Sequence, residues 1–136
     1  MNIYRHHCHR FLVLLLTLCI ASGVSADQGT EKTVFLVIED DRVIAGNAMS
    51  GQFADLDFSA KEKLLEQFVA NGVAIVVTTQ RYAGYGAFTG GWRSTRRIAG
   101  EEFISAEVQD YSALIVTNER LLTFNGKTGT WAHTQR

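Results

Sequence analysis

Hydrophobic and polar residues alternate in the last third of the chain with the period of two that is typical of a half-buried strand. Ile104, Ala106 and Val108 are separated by polar residues, which predicts a strand with one apolar face. The segment SALIVT, residues 112–117, is almost continuously apolar. Such a run predicts a second strand, covered on both of its faces.

Turn signals separate this second strand from two further strands. Asn118 and Glu119 offer a tight two-residue hairpin, because asparagine tolerates a positive φ. Asn125-Gly126 is the strongest hairpin signal in the chain. The segments RLLTF and TWAHTQR follow these two turns. Residues 101–136 are therefore predicted to form a four-stranded antiparallel meander.

The same pattern occurs earlier in the chain at a constant spacing without a gap, and a weaker copy precedes that one. Identical residues lie 39 positions apart at Thr78 and Thr117, Arg81 and Arg120, Gly90 and Gly129, Trp92 and Trp131, and Arg97 and Arg136. The weaker copy places Val37, Arg42, Gly51 and Phe53 one repeat before Val76, Arg81, Gly90 and Trp92. A shared register over several segments indicates a true internal repeat.

The repeat divides the chain into copies 34–72, 73–111 and 112–136 of one β-repeat domain spanning residues 27–136. Each copy has about the length of one propeller blade. The predicted fold is therefore all-β, with tandem four-stranded antiparallel meanders in a partial β-propeller-like array.

Stacking would bury the apolar faces that a single meander leaves exposed. Trp92, Trp131 and Phe53 are predicted to recur as core residues in equivalent layers between the copies. Fewer than three complete copies cannot close a ring, so we expect a homo-oligomeric ring. An open array capped by its own tail is the alternative.

Residues 59–72 permit two interpretations. Ser59 and Glu62 form a capping-box pattern that precedes the apolar residues Leu64, Leu65, Phe68 and Val69, and this favours a helix. The same segment lies one repeat before residues 98–111, which have a strand pattern. The repeat register therefore favours a strand.

The motif VTxxR, followed by an aromatic residue, a glycine-rich turn and tryptophan, resembles the repeats of β-propeller-like proteins. More narrowly, it is similar to uncharacterised exported bacterial repeat proteins. Thr78, Arg81, Gly90 and Trp92 carry the resemblance, together with their counterparts one repeat later. The resemblance implies a structural repeat and brings no catalytic pattern. The hairpin LIVTNERLLTF also resembles bacterial PH-like domains, which add a C-terminal helix that this sequence does not offer.

The first residues have the pattern of a signal peptide. Arg5 and Arg10 precede an apolar run, and small residues come before a predicted cleavage site after Ala26. We expect an exported protein, periplasmic or secreted, without a transmembrane segment after cleavage. An uncleaved anchor is the alternative, and Cys19 follows leucine rather than the small residue that a lipidation signal needs.

The composition of residues 27–136 limits the kinds of functional site that this segment can form. Both cysteines precede residue 27, so neither a disulfide nor a thiolate site is expected. Without Arg5 and Arg10, the acidic residues outnumber the basic ones and leave no basic footprint for nucleic acid. Asp40-Asp41 and His133 lack the neighbours that a metal site requires. We expect no cofactor and no enzymatic activity.

Arginines and aromatic residues are the remaining candidates for binding. Arg81 and Arg120, together with Arg42, follow equivalent hairpin turns and are candidates for holding an anion or glycan; ion pairs within each copy are the alternative. The basic segment WRSTRR supplies Trp92, Arg93, Arg96 and Arg97 as further candidate ligand-binding residues.

Three functions are compatible with these features. The first is an exported, non-enzymatic binding or scaffolding module that self-associates. The second is a lectin-like or anion-binding module in which Tyr82, Tyr85 and Tyr111 assist the arginines. The third is a PH-like domain with a membrane or protein partner.

Overall fold

The computed structural model describes residues 32–136, and the predicted signal peptide lies outside the described residues. The fold is all-β, as predicted, with eleven strands in three antiparallel sheets and no helix within residues 32–136. No segment there could cross a bilayer as an apolar helix. We call the sheets blades 1, 2 and 3 in chain order.

Each blade is a meander in which consecutive strands pair. Blade 1 contains β1 (Val34–Ile38), β2 (Arg42–Asn47) and β3 (Gln52–Asp57). Blade 2 contains β4 (Leu64–Val69), β5 (Val73–Thr78), β6 (Arg81–Gly86) and β7 (Trp92–Arg96). Blade 3 contains β8 (Phe103–Gln109), β9 (Ser112–Thr117), β10 (Arg120–Asn125) and β11 (Thr130–Gln135). The sheets thus divide the chain before β4 and before β8, whereas the copies 34–72, 73–111 and 112–136 divide it after those strands.

The segment 59–72 contains the strand β4 and no helix, as the repeat register predicted. One of the two capping-box bonds is nevertheless present, because the Ser59 N–H donates to Glu62 Oε2 at 2.9 Å; the Glu62 N–H donates to the Ser59 carbonyl at 3.0 Å instead of to the Ser59 hydroxyl. These bonds close a turn that leads into β4. Pairing with β5 then satisfies the backbone that a helix would have satisfied internally.

The three blades stack face to face with blade 2 in the middle. Val34, Val43 and Ala45 of blade 1 pack against one face of blade 2. The other face of blade 2 packs against Ile115 and Phe124 of blade 3. All six residues of β5 are buried because both faces of this strand are covered.

The strand β9 corrects one expectation from the sequence. Ala113 and Ile115 are buried, but Leu114 between them is 36% exposed. The nearly continuous apolar run predicted coverage on both faces, yet blade 2 covers only one face of β9. Ile104 is a second correction: a β-bulge between Phe103 and Ser105 shifts the register of β8 and leaves Ile104 exposed.

The tryptophans Trp92 and Trp131 occupy equivalent interblade positions, as the repeat predicted. The Trp92 indole N–H donates to the Ala54 carbonyl of blade 1 at 2.9 Å. The Trp131 indole N–H donates to the Arg93 carbonyl of blade 2, also at 2.9 Å. The core position predicted for Phe53 is wrong: its side chain is 67% exposed, because it lies on the face of blade 1 turned away from blade 2.

The repeated glycines lie in the turns before the last strand of each blade. Gly90 has φ +64°, and Gly129 has φ +70°. Gly51 has φ +67° in the corresponding turn of blade 1. Glycine adopts this left-handed conformation without the steric penalty that other residues incur, which gives the structural repeat its local cause.

Candidate functional site

A threonine, a glutamate and an arginine form one polar network in blade 2. Arg81 donates Nε to Glu62 Oε1 at 2.8 Å and Nη2 to Glu62 Oε2 at 3.1 Å. The Thr78 hydroxyl donates to the same carboxylate at 2.7 Å. Both carboxylate oxygens therefore receive charged or hydroxyl donors.

Blade 3 contains the same network, but its side chains are less exposed to solvent. Arg120 binds both oxygens of Glu101 at 2.8 and 3.2 Å, and the Thr117 hydroxyl lies 3.0 Å from Glu101 Oε1. The Arg120 side chain is 7% exposed, whereas that of Arg81 is 26% exposed. The same sequence pattern thus produces two ion pairs that differ in their access to water.

Both glutamates have shifted acidities. Burial alone raises the pKa of Glu62 and of Glu101, because it disfavours the charged carboxylate. The hydrogen bonds from arginine, from a backbone N–H and from threonine outweigh burial, so the pKa of each glutamate lies below its ordinary value. The ionised form is thus favoured at neutral pH.

The arginines of these networks also join neighbouring blades. Arg81 Nη2 donates to the Asp57 carbonyl in blade 1 at 2.6 Å. Arg120 Nη2 donates to the Arg96 carbonyl in blade 2 at 2.8 Å. Nε and Nη2 of both Arg81 and Arg120 are therefore occupied by bonds within the protein.

Blade 1 contains a simpler version of the network. Glu39 occupies the position of Thr78, one repeat earlier, and supplies the carboxylate itself. Arg42 Nε donates to Glu39 Oε2 at 2.6 Å, and the two side chains are 40% and 39% exposed. The pair faces solvent, in contrast to its counterparts in blades 2 and 3.

The basic segment predicted as a binding site divides into structural and exposed arginines. Arg97 donates Nη1 to the Thr78 carbonyl at 3.1 Å and lies 5.8 Å from the centre of the Tyr82 ring. Arg93 and Arg96 are exposed on β7. A groove of about 1000 Å³ that extends from the end of blade 1 to the segment before blade 3 brings Arg81, Arg96 and Arg97 together with Glu62 and Glu101. The two carboxylates offset part of its positive charge.

Two of the three tyrosines proposed as ligand contacts are inaccessible. Tyr82 and Tyr85 are 0% and 1% exposed, because they lie on the covered faces of blade 2. Burial, aided by the charge of Glu101, raises the pKa of Tyr82. Tyr111 is half-buried and packs against Phe88.

Metal ligands do not cluster in the part of the chain that the structure describes. No three His, Cys, Asp or Glu side chains within residues 32–136 are close enough to hold an ion together. Asp40 and Asp41 lie in the turn between β1 and β2, and His133 is exposed on β11.

Blade 1 exposes an apolar end face made by Phe35, Val37, Ile44 and Phe53. Phe35, Val37 and Phe53 are 42%, 44% and 67% exposed. The rings of Phe35 and Phe53 meet edge to face with centroids 6.0 Å apart. These adjacent exposed apolar side chains make the blade 1 end face a candidate surface for association.

This aromatic pair reproduces pairs that lie between blades elsewhere in the stack. Tyr85 and Trp92 lie against blade 1 with ring centroids 5.6 Å apart. Phe124 and Trp131 lie against blade 2 with centroids 4.9 Å apart. In every blade one aromatic residue of the pair lies on the last strand. The other lies on the strand before it in blades 2 and 3, and on the first strand in blade 1. The blade 1 end face thus has the aromatic features of a face that elsewhere contacts the preceding blade.

Phe35 reaches this arrangement from a different strand. Tyr85 pairs with Ala74 across the strands β6 and β5, whereas the corresponding pair in blade 1 is Gly46 and Phe35. The aromatic and small residues have exchanged strands. A Cβ atom at Gly46 would lie 2.0 Å from the Phe35 ring, so the ring covers the place from which Tyr85 projects in blade 2.

Blade 3 exposes the complementary end face, made by Ser112, Leu114, Thr123 and Ala132. These residues line a groove of about 880 Å³ together with polar residues that include Asp110. The equivalent face of blade 2 is covered by blade 3, where the Phe124 ring lies over Gly84. The blade 3 end face thus corresponds to a surface that accepts an aromatic pair one repeat earlier.

Phe35, Gly46 and Glu101 were not identified as functional or structural residues from the sequence, and Glu62 was assigned only to a capping box. The register of the repeat could have identified Phe35 and Gly46. It aligns Gly46 with Tyr85 and Phe35 with Ala74, and aligning both positions would have shown the exchange of volumes.

The chain matches no protein-family model and no curated protein sequence.

Proposed function

We propose that this protein is an exported, non-enzymatic binding or scaffolding module that works by self-association through its two end faces. The observation that carries the proposal is the Phe35–Phe53 pair. It lies on a solvent-facing sheet and matches the two aromatic pairs that pack between blades. The proposal of export rests on the signal-peptide pattern at the start of the sequence.

Hydrophobic burial supplies the driving force for such an assembly. Removing apolar surface from water stabilises a contact by about 25 cal/mol per Å². The blade 1 end face presents three apolar side chains that are more than 40% exposed. The blade 3 end face presents Leu114 within a groove that is large enough to receive aromatic side chains.

A lectin-like or anion-binding function has less support. Arg81 and Arg120 donate to glutamates and to neighbouring blades. Tyr82 and Tyr85 are buried. The PH-like alternative gains no support either, since residues 32–136 contain no helix.

The oligomeric mass tests the proposal directly. The protein, expressed from its full-length sequence, is expected to sediment as a multiple of the chain mass at micromolar concentration. Phe53→Glu is expected to give a folded monomer, because it places a charge in the proposed contact. Leu65→Glu is the matched control: Leu65 is 46% exposed on the middle blade, away from both end faces.

Two results would overturn the proposal. One is a wild-type monomer at about 100 μM, a concentration at which weak associations of this size are normally detected. The other is an assembly that survives Phe53→Glu. A wild-type monomer in which hydrogen exchange shows the blade 1 end face protected would assign that face to residues 1–31.

A further inference from the structure

The two internal interfaces contain the same backbone bonds, one repeat apart. The Thr33 N–H of blade 1 donates to the Asn71 carbonyl of blade 2 at 2.9 Å. The Gly72 N–H of blade 2 donates to the Asp110 carbonyl of blade 3 at 2.8 Å. Each blade therefore meets the next in one fixed register, and that register specifies how a further blade would dock.

Side chains at the same edge form a ladder across the blades. Asn71 Nδ2 donates to Asp110 Oδ1 at 3.1 Å between blades 2 and 3. Lys32 occupies the equivalent position in blade 1 and is exposed. If blade 1 of a second copy followed blade 3, Lys32 of that copy would lie beside Asp110. Its ammonium group and the Asp110 carboxylate have opposite charges.

The opposite edge of the stack supplies a second contact. Arg81 and Arg120 each donate Nη2 to a carbonyl at the end of the last strand of the preceding blade. Arg42 is the equivalent arginine of blade 1, and Glu39 binds it through Nε. In the same register, Arg42 of a second copy would donate Nη2 to the Gln135 carbonyl, the counterpart of Asp57 and Arg96.

The geometry points to a head-to-tail assembly in which blade 1 of a second copy docks on blade 3 as a fourth blade, with its Lys32 beside Asp110. This inference rests on the self-association proposed above and adds the partner's orientation and register. Each face uses a different surface, so the contact is heterologous and can close into a ring. Two copies supply six blades, within the range of about four to eight found in propellers.

A charge exchange tests the register. Lys32→Glu and Asp110→Lys should each weaken the dimer about threefold to tenfold at low salt, since each places like charges together. The double variant Lys32→Glu/Asp110→Lys should return the dissociation constant to about the wild-type value. Asp110 has φ +41°, and lysine can adopt a positive φ, as Lys61 does with φ +69°. Lys63→Glu, on the middle blade, controls for the change in net charge.

A second variant provides a gain of affinity. Trp92 and Trp131 donate to carbonyls of the preceding blade, but Phe53 at the same position has no N–H to donate. Phe53→Trp would supply a donor to the Ala132 carbonyl of a second copy. We expect it to tighten the dimer about twofold to tenfold, the effect of one added hydrogen bond.

The outcomes separate this inference from the proposed function. An assembled protein whose affinity is unchanged by both single charge reversals, or is not restored by the double variant, would overturn the register and leave self-association intact. Weaker assembly of Phe53→Trp would also overturn it. A wild-type monomer would overturn both proposals, whereas rescue by the double variant together with tighter Phe53→Trp dimers would support the register.

Discussion

Arg120 and Glu101 form a two-bond ion pair that is almost completely removed from water, with side chains 7% and 0% exposed. The equivalent pair of Arg81 and Glu62 leaves the arginine 26% exposed. Removal of one partner leaves the other charge buried, and the cost depends on how much water can reach it. Two pairs with the same geometry are therefore expected to differ in their contribution to stability.

Truncation of the two arginines should show this difference. Arg120→Ala is expected to lower the free energy of unfolding by about 3–5 kcal/mol, because Glu101 is left charged in a dry site. Arg81→Ala is expected to cost about 1.5–3 kcal/mol, because water can replace some of the lost hydrogen bonds. Urea denaturation at one protein concentration measures both. Equal losses would contradict the role assigned to solvent access.

The indole hydrogen bond of Trp131 offers a separate test of the interblade contact. Trp131→Phe keeps an aromatic ring but removes the donor to the Arg93 carbonyl, and we expect a loss of about 1–3 kcal/mol. Trp92→Phe removes the equivalent bond to Ala54 and should behave similarly. Thermal or urea unfolding measures the change. Variants as stable as the wild type would show that these hydrogen bonds make no net contribution to the free energy of unfolding.

The close approach of Phe124 to Gly84 predicts an effect of side-chain volume. A Cβ atom at Gly84 would lie 2.7 Å from the Phe124 ring, so Gly84→Ala should force blades 2 and 3 apart at a cost of about 1–3 kcal/mol. Gly91→Ala is the matched control, because a Cβ there would meet only the Arg93 guanidinium at 3.6 Å. Urea unfolding compares the two. A Gly84→Ala protein as stable as the control would contradict this packing.

Acid should destabilise the protein through Glu62 and Glu101. The folded-state pKa of each carboxyl lies below its ordinary value, whereas in the unfolded chain it is about 4.3. The stabilisation is therefore fully present well above pH 4.3 and is lost as pH falls from about that value through the folded pKa. Unfolding free energies measured between pH 3 and 7 should decrease at the acid end.

The variant Glu101→Gln checks the source of that acid sensitivity. It cannot ionise, so the fall in stability at the acid end should be shallower than in the wild type, although the protein is less stable at neutral pH. Glu107→Gln is a control, because Glu107 is exposed on β8. An increase in wild-type stability on acidification would contradict the lowered pKa values of Glu62 and Glu101.

The repeat made most of the secondary structure predictable. Strand-length apolar segments, the turn signals Asn118-Glu119 and Asn125-Gly126, and the constant spacing of the copies indicated a meander, and the structure has that meander. The same spacing predicted a strand for the segment 59–72 against a capping-box pattern that favoured a helix, and β4 lies within that segment. Ser59 and Glu62 form one of the two hydrogen bonds of such a box, and together with a backbone bond it closes a turn instead of starting a helix.

The candidate site was less predictable because residues of one type perform different tasks. Arg81, Arg120 and Arg97 looked like candidates for ligand contacts, but their donors bind glutamates and carbonyls within the stack. Arg93 and Arg96 are exposed. Only the positions of neighbouring blades distinguish these cases, since a guanidinium is equally suited to a ligand or to a carbonyl.

The sequence by itself determined the period, the turns and the alternation of each strand, because these depend on residues close together in the chain. The tertiary structure decided which apolar faces are covered. The equivalent positions Phe53, Trp92 and Trp131 have similar chemistry, yet within residues 32–136 only the last two have a preceding blade against which to pack. Burial is a property of the neighbouring surface, so an internal repeat predicts equivalent residues without predicting equivalent exposure.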